Sequence, residues 1–237
     1  MSAPFTVRRS QRARRARVTM TREGDVVVVL PWRASASLAG ELVERHARWI
    51  ANHQARMAGE REVLAATPAI GEGRTLSLRG LPHDVVVEAD AGLRRYSNVS
   101  LEAQSAPAIV IRQSTVDARS VGQLVEAWLR SEARRDLAER VAMRSADMDV
   151  RPNHVSVRDQ RSRWGSASRR GTLSFSWRLV LCPPEILDYV VVHELAHLRW
   201  AGHGVRFWSM VRRHAPAADH YRRWLSRNEA RLRHALD

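Results

Sequence analysis

The chain has 237 residues, 44% of them hydrophobic, which is enough for a sizeable core in one domain or two small ones. Its formal net charge is +14, carried on 39 arginines with no lysine at all. A single cysteine, Cys182, excludes an internal disulfide and a cysteine-rich metal site, and no apolar run approaches the roughly 18 residues that span a bilayer.

Arg8 to Arg17 holds six arginines in ten residues, a density that also suits a basic arm or an organelle transit peptide. Val18 to Met20, a turn at Gly24-Asp25 and the run Val26 to Leu30 favour a hairpin instead. Ser35 or Ser37 can cap the next helix, along which Leu38, Leu42, His46, Trp49, Ile50 and His53 fall at helical spacing. Histidines seven apart on one helix are packing or surface residues far more often than metal ligands, so neither is assigned a role. The stripe gives out after Met57. Short strands are expected at Leu76–Leu78, Val85–Val87, Val99–Leu101 and Ile109–Ile111. Residues 1–116 thus read as a β-rich unit with one helix, without a constellation of obvious chemistry.

Ser120 can cap a long helix that carries Leu124, Val125, Leu129, Leu137 and Val141 on one stripe, opening a second domain over residues 117–237. Val155–Arg158 and Ser162–Ser166 read as strand or sheet edge. Leu173, Phe175, Trp177 and Leu179 then alternate with Ser174, Ser176 and Arg178, the pattern of a half-buried strand. Beyond residue 200, Phe207, Trp208 and Val211 suggest a short helix. Tyr221, Trp224, Leu225 and Leu232 suggest a last one.

Between these lies His193-Glu194-Leu195-Ala196-His197, preceded by Ile186, Leu187, Val190 and Val191 at helical spacing and by Pro184, which suits a first helical turn. Residues four apart share a helix face, so both imidazoles can reach one metal ion, and Glu194 stands beside that face. This is the H-E-x-x-H arrangement of zinc hydrolases. Gly202 follows, where a chain commonly turns out of a helix. His203 comes six residues after His197 and is well placed as the third ligand of an open catalytic zinc site. A metzincin would share that interval but carry glycine at position 200, which is Trp200 here.

The stretch from Arg158 to Pro216 resembles the YgjP-like metallopeptidase family, through Arg163-Trp164-Gly165-Ser166, Trp177-Arg178-Leu179, the H-E-x-x-H segment and Phe207-Trp208. The N-terminal VRRSQRARRARVTMTREGDVVVVLP and the later ARWI fit it too. A zincin-like core is shared more distantly with SprT-like proteases. The resemblance implies zinc at His193, His197 and His203, Glu194 as catalytic base, and a substrate-binding edge near Arg163-Trp164-Gly165. The chain departs from the family at Ala167, usually cysteine, and at Gly202, often asparagine. Both departures bear on the rim of the site.

The expected fold is α+β: a β-rich N-terminal unit with one helix, then a zincin-like metallopeptidase domain around the H-E-x-x-H helix. The expected function is a cytoplasmic, zinc-dependent metallopeptidase that hydrolyses peptide or protein amide bonds with a zinc-activated water. Arg161, Arg163 and Trp164 are candidate substrate contacts; the two arginines share parity on an extended chain. Two other classes stay open: a metal-dependent nucleotide or phosphoanhydride hydrolase whose arginines hold phosphate, and a non-enzymatic basic zinc module that binds nucleic acid. Three ligands argue against the last, because structural zinc is usually closed by four. The charge also predicts weak, nonspecific binding of nucleic acid or nucleotides, since no reading motif accompanies it.

Overall fold

The computed structural model describes the chain except for residues 1–3, 22–23, 67–69, 91, 93–95, 104–105, 161 and 237. Contacts divide it into two compact units, Met1–Ala66 and Thr67–Asp237.

In the first unit β1 (Phe5–Ser10), β2 (Arg17–Met20) and β3 (Val26–Pro31) form a sheet in the order β1-β3-β2. The hairpin is β2–β3, antiparallel, turned at Gly24 with φ 95°, a conformation that favours glycine. The arginine run is split: Arg8 and Arg9 lie on β1, parallel to β3 on its other edge, and Arg17 opens β2. The expected single helix is two, α1 (Ser37–Arg45) and α2 (Ala47–Ala66). They break at His46, whose Nδ1 donates to the Leu42 carbonyl at 2.8 Å and so closes off the end of α1. Val26, Val28 and Leu30 of β3 bury against Ala39, Leu42, Val43 and Ile50 in a core of their own.

The second unit opens with β4 (Thr75–Leu78), β5 (Leu81–Asp90), β6 (Asn98–Ala103) and β7 (Pro107–Ser114), in the order β4-β5-β7-β6. Helix α3 (Val121–Asp147) follows, opened by a capping box between Ser120 and Gln123. Leu76, Val85, Ile109 and Ile111 share one core with Leu124, Leu129 and Leu137 of α3. Position 116/117 therefore falls inside the second unit.

A second sheet joins β8 (His154–Arg158), β9 (Gly165–Ala167) and β10 (Thr172–Ser176) in the order β8-β10-β9, which leaves β9 at an edge. The strand expected to run to Leu179 ends at Ser176, and Trp177–Leu181 is a 3₁₀ helix. All five of its side chains are buried, which a strand with one wet face would not allow. Even Arg178 is inside, ion-paired to Asp159 and stacked 4.4 Å from the Trp177 ring. Its charge tolerates burial because it is paired and hydrogen-bonded.

Then come α4 (Pro184–Arg199), α5 (Val205–His214) and α6 (Ala218–Arg233). Buried Ile186, Leu187, Val190, Val191 and Leu195 pull α4 into the core. A bidentate pair from Arg144 of α3 to Asp188, at 2.8 and 2.6 Å, fixes its rotation. Gly202 is not what ends α4. Trp200 leaves the helix in extended geometry, φ −132° and ψ 107°. Among the described residues, no helix is long and apolar enough to cross a membrane.

Candidate active site

His193 and His197 lie one turn apart on α4, and His203 comes from the short connection to α5. Their side-chain nitrogens converge. His203 Nε2 is 3.2 Å from both His193 Nε2 and His197 Nε2, and one nitrogen from each ring lies within 4.8 Å of the others. The rings rest on Phe207 of α5, which is buried and has its centroid 4.5 to 4.9 Å from all three. Trp208 stacks near His193 and His203. The amphipathic pattern of α5 thus supplies an apolar floor that holds the three imidazoles together, His197 roughly perpendicular to the other two.

The protonation of these rings can be argued. His197 Nδ1 donates to the Trp200 carbonyl at 3.1 Å, so in the neutral ring the lone pair is on Nε2, facing the other two. Burial, and then the neighbouring His197 and His203, hold His193 down to about 3 from an ordinary 6.5. Burial likewise lowers His197. At neutral pH His193 and His197 therefore present neutral nitrogens as ligand atoms rather than as cations.

A divalent metal suits this donor set. Four tetrahedral ligands about 2.0–2.1 Å from zinc stand about 3.3 Å apart, close to the 3.2 Å from His203 Nε2 to each of the other two Nε2 atoms. Three protein ligands leave one position open, as catalytic sites do. His193 Nδ1 and Glu194 Oε2 are buried with no hydrogen-bond partner among the described residues, so the cluster is not satisfied by the protein alone.

Glu194 is only 6% exposed. Strand β9 passes directly over it: a Cβ on Gly165 would lie 2.6 Å from Glu194 Cγ and 2.7 Å from Oε1. The carboxylate is thereby clamped between α4 and the sheet edge. Burial raises its pKa from 4.5 to about 7, with the charge of Arg163 pulling the other way. Between about 4.5 and about 7 the folded chain holds a proton that the unfolded chain has released, so this group destabilises the metal-free protein progressively as pH rises through that window. Glu194→Gln is expected to match wild type in metal-free melts below about pH 4.5 and to exceed it by roughly 3 kcal/mol at pH 8. His193 contributes a slope of the opposite sign, but equally in both proteins. An unchanged melting temperature at pH 8 would mean that the carboxylate is not held dry.

The cleft over these groups, about 490 Å³, is lined by Arg163, Gly165 to Arg169, His193, Glu194, His197, Ala201 and His203. Arg163 is where the sequence suggested, on the rim. Trp164 is not on the cleft: it is half-buried under the Arg233 guanidinium, 4.6 Å from its ring, and packs against the core. Arg161 lies outside the described residues. Gly165 and Ala167, which the resemblance puts at the edge and rim of the site, line the cleft together with Ser166, Ser168 and Arg169, which no residue type marks. For Gly165 the available signal was a glycine inside a strand, which often marks a close approach of backbone or ligand.

Comparison with known proteins adds one finding. The family model described as YgjP-like, metallopeptidase domain, matches residues 14–228. No curated protein and no solved structure matches the chain.

Proposed function

The chain belongs to the YgjP-like metallopeptidase family, and from that premise we propose that it is a zinc-dependent, zincin-like peptidase acting at His193, Glu194, His197 and His203. The observation that carries this reading is the convergence of three imidazole nitrogens beside a buried carboxylate in an open cleft. His193, His197 and His203 would hold the metal. Zinc bound by neutral imidazoles supplies Lewis acidity, which lowers the pKa of water and polarises a carbonyl.

The protein's own groups do the rest. Glu194 takes a proton from the attacking water as its oxygen bonds to the carbonyl carbon, then passes that proton to the amide nitrogen as the C–N bond breaks. The Trp200 carbonyl keeps His197 in the required tautomer. The edge of β9 offers backbone groups to which an extended peptide can add as a further strand, across the cleft from α4. Arg163 stands at the rim to meet substrate. Nucleic acid, on this reading, binds only weakly and without sequence preference, and is released by salt.

Gly165→Ala tests the clamp on Glu194. The new methyl must displace the carboxylate or part β9 from α4, and a misplacement of about 1 Å costs on the order of 100-fold in turnover. Overpacking should also lower stability by about 1–3 kcal/mol. Wild-type turnover and melting would mean that the strand does not approach so closely.

The reaction class is tested by incubating zinc-loaded protein with casein, short peptides and nucleoside triphosphates, with and without chelator. Chelator-sensitive cleavage of casein or peptides is expected. Phosphate release without peptide cleavage would move the assignment to phosphoanhydride hydrolysis.

A further inference from the structure

Next to the catalytic cleft is a second depression of about 450 Å³, which shares Ser168, Arg169, His197 and Ala201 with it. Four arginines line it: Arg151, Arg169, Arg170 and Arg199. Among the described residues, no carboxylate does. Several arginines elsewhere in this unit are matched to acids, as Arg79 is to Glu132 and Asp136, Arg112 to Glu88 and Glu102, and Arg144 to Asp147 and Asp188. Here, among the described residues, Arg151, Arg169 and Arg170 have no ion-pair partner, and Arg199 has only Asp149 at 3.8 Å, a carboxylate that is 97% exposed. Three guanidiniums without a counter-charge and a fourth only loosely paired match an anionic ligand.

The depression is also well framed. Arg169 and Arg170 sit on the turn between β9 and β10, which closes with Gly171 at φ 76°. Asn153 locks that turn: its Nδ2 donates to the Arg170 carbonyl at 2.8 Å, and its backbone N–H to the Gly171 carbonyl at 2.8 Å. A Cβ at Gly171 would meet Asn153 Nδ2 at 2.9 Å, so the turn has no slack. The two arginines are thus presented from a fixed backbone at the end of the strand that begins over Glu194.

We infer that this depression is a specificity subsite for acidic peptide substrates, taking one or two Asp or Glu side chains on one side of the scissile bond. The inference rests on the peptidase reading above. Because the depression shares Ser168, Arg169, His197 and Ala201 with the cleft, the acidic residues sit within a few positions of the bond that is cut. Guanidinium–carboxylate pairing provides the recognition. A single-stranded nucleic acid fits less well, because among the described residues no Phe, Tyr or Trp lines the depression for a base to stack on.

The test uses full-length zinc-loaded protein and a peptide library randomised for several positions on either side of a fixed centre, with products read by mass spectrometry. Asp and Glu should be enriched over Asn and Gln by about 3- to 10-fold, on one side only. In Arg151→Gln/Arg170→Gln that ratio should fall to about one. Cleavage without that enrichment, or an enrichment that survives the double substitution, would overturn the inference. A second measurement does not depend on turnover: binding to Glu194→Gln protein of a labelled acidic peptide and of its Asn/Gln twin. The acidic peptide should bind more tightly, and the double substitution should erase the difference. If wild type cleaves no peptide but this difference holds, the peptidase reading fails and the subsite stands. Equal binding of the twins would sink the subsite whatever the enzyme does. So would an oligonucleotide that displaces the acidic peptide at a lower concentration than unlabelled peptide does.

Discussion

Glu194→Gln is expected to retain bound zinc and to lose about 10²- to 10⁴-fold in turnover, the usual contribution of a positioned general base. Glutamine preserves the shape that fits under Gly165, where any bulkier change would collide with β9. It cannot accept a proton at neutral pH. Because the carboxylate makes no hydrogen bond through Oε2 among the described residues, the substitution breaks no partner contact there. The variant should therefore fold, bind substrate and hold it. Affinity capture from lysate with this variant, compared with wild type, should recover substrate as intact chains. Kinetics with the same kcat as wild type would remove water activation by Glu194 from the mechanism.

The second large effect is on metal binding. Alanine at His193, His197 or His203 is expected to reduce zinc affinity by well over the 10- to 100-fold that loss of a hydrogen-bonded supporting group costs. The described residues place no carboxylate in the group formed by these three side chains, so no ready substitute ligand stands by. The structural consequences should differ. His193 packs against Phe207, Trp208 and Tyr189, and its loss leaves a cavity. His203 is exposed on the connection between α4 and α5, and its loss should hardly move the melting temperature. Elemental analysis and thermal melts of the three variants check both statements. Chelation of wild type should likewise remove activity more than stability, because Phe175, Trp177, Leu129 and Leu137 already form a buried core without the metal. Full zinc occupancy in His203→Ala would place the third ligand elsewhere.

The features legible in the sequence are those set by local periodicity. Histidines four apart share a face on any helix, and the apolar residues that precede them bury the opposite side, so α4 and its paired imidazoles could be read directly. The β2–β3 hairpin announced itself through a glycine turn between β-branched residues, and α3 through Ser120 and Gln123. Where two local patterns competed, tertiary packing decided. Leu173 to Leu179 alternates like a strand, yet Arg178 finds Asp159 and Trp177 inside the protein, so both faces are buried and the chain tightens into a 3₁₀ turn. The stripe from Leu38 to His53 continues across a break that His46 makes with its own side chain.

The contacts that shape the candidate site are of a different kind. Gly165 lies 29 positions before Glu194, and no spacing rule joins them; only the docking of β9 on α4 does. Arg151, Arg169, Arg170 and Arg199 are scattered among 39 arginines, and nothing in composition separates these four from the paired ones. Trp164 illustrates the converse. Its neighbours in sequence reach the cleft, but alternation along an extended segment turns its ring away, under Arg233.

The most direct test of the central claim is product analysis of casein digested in heavy-oxygen water by wild type and by Glu194→Gln. Amide hydrolysis places oxygen from water on each new C-terminus. The account predicts new, labelled C-termini with wild type, lost on chelation and lost with Glu194→Gln although that variant still carries zinc. Intact casein with the zinc-loaded wild type, or equal labelling by the two proteins, would contradict it.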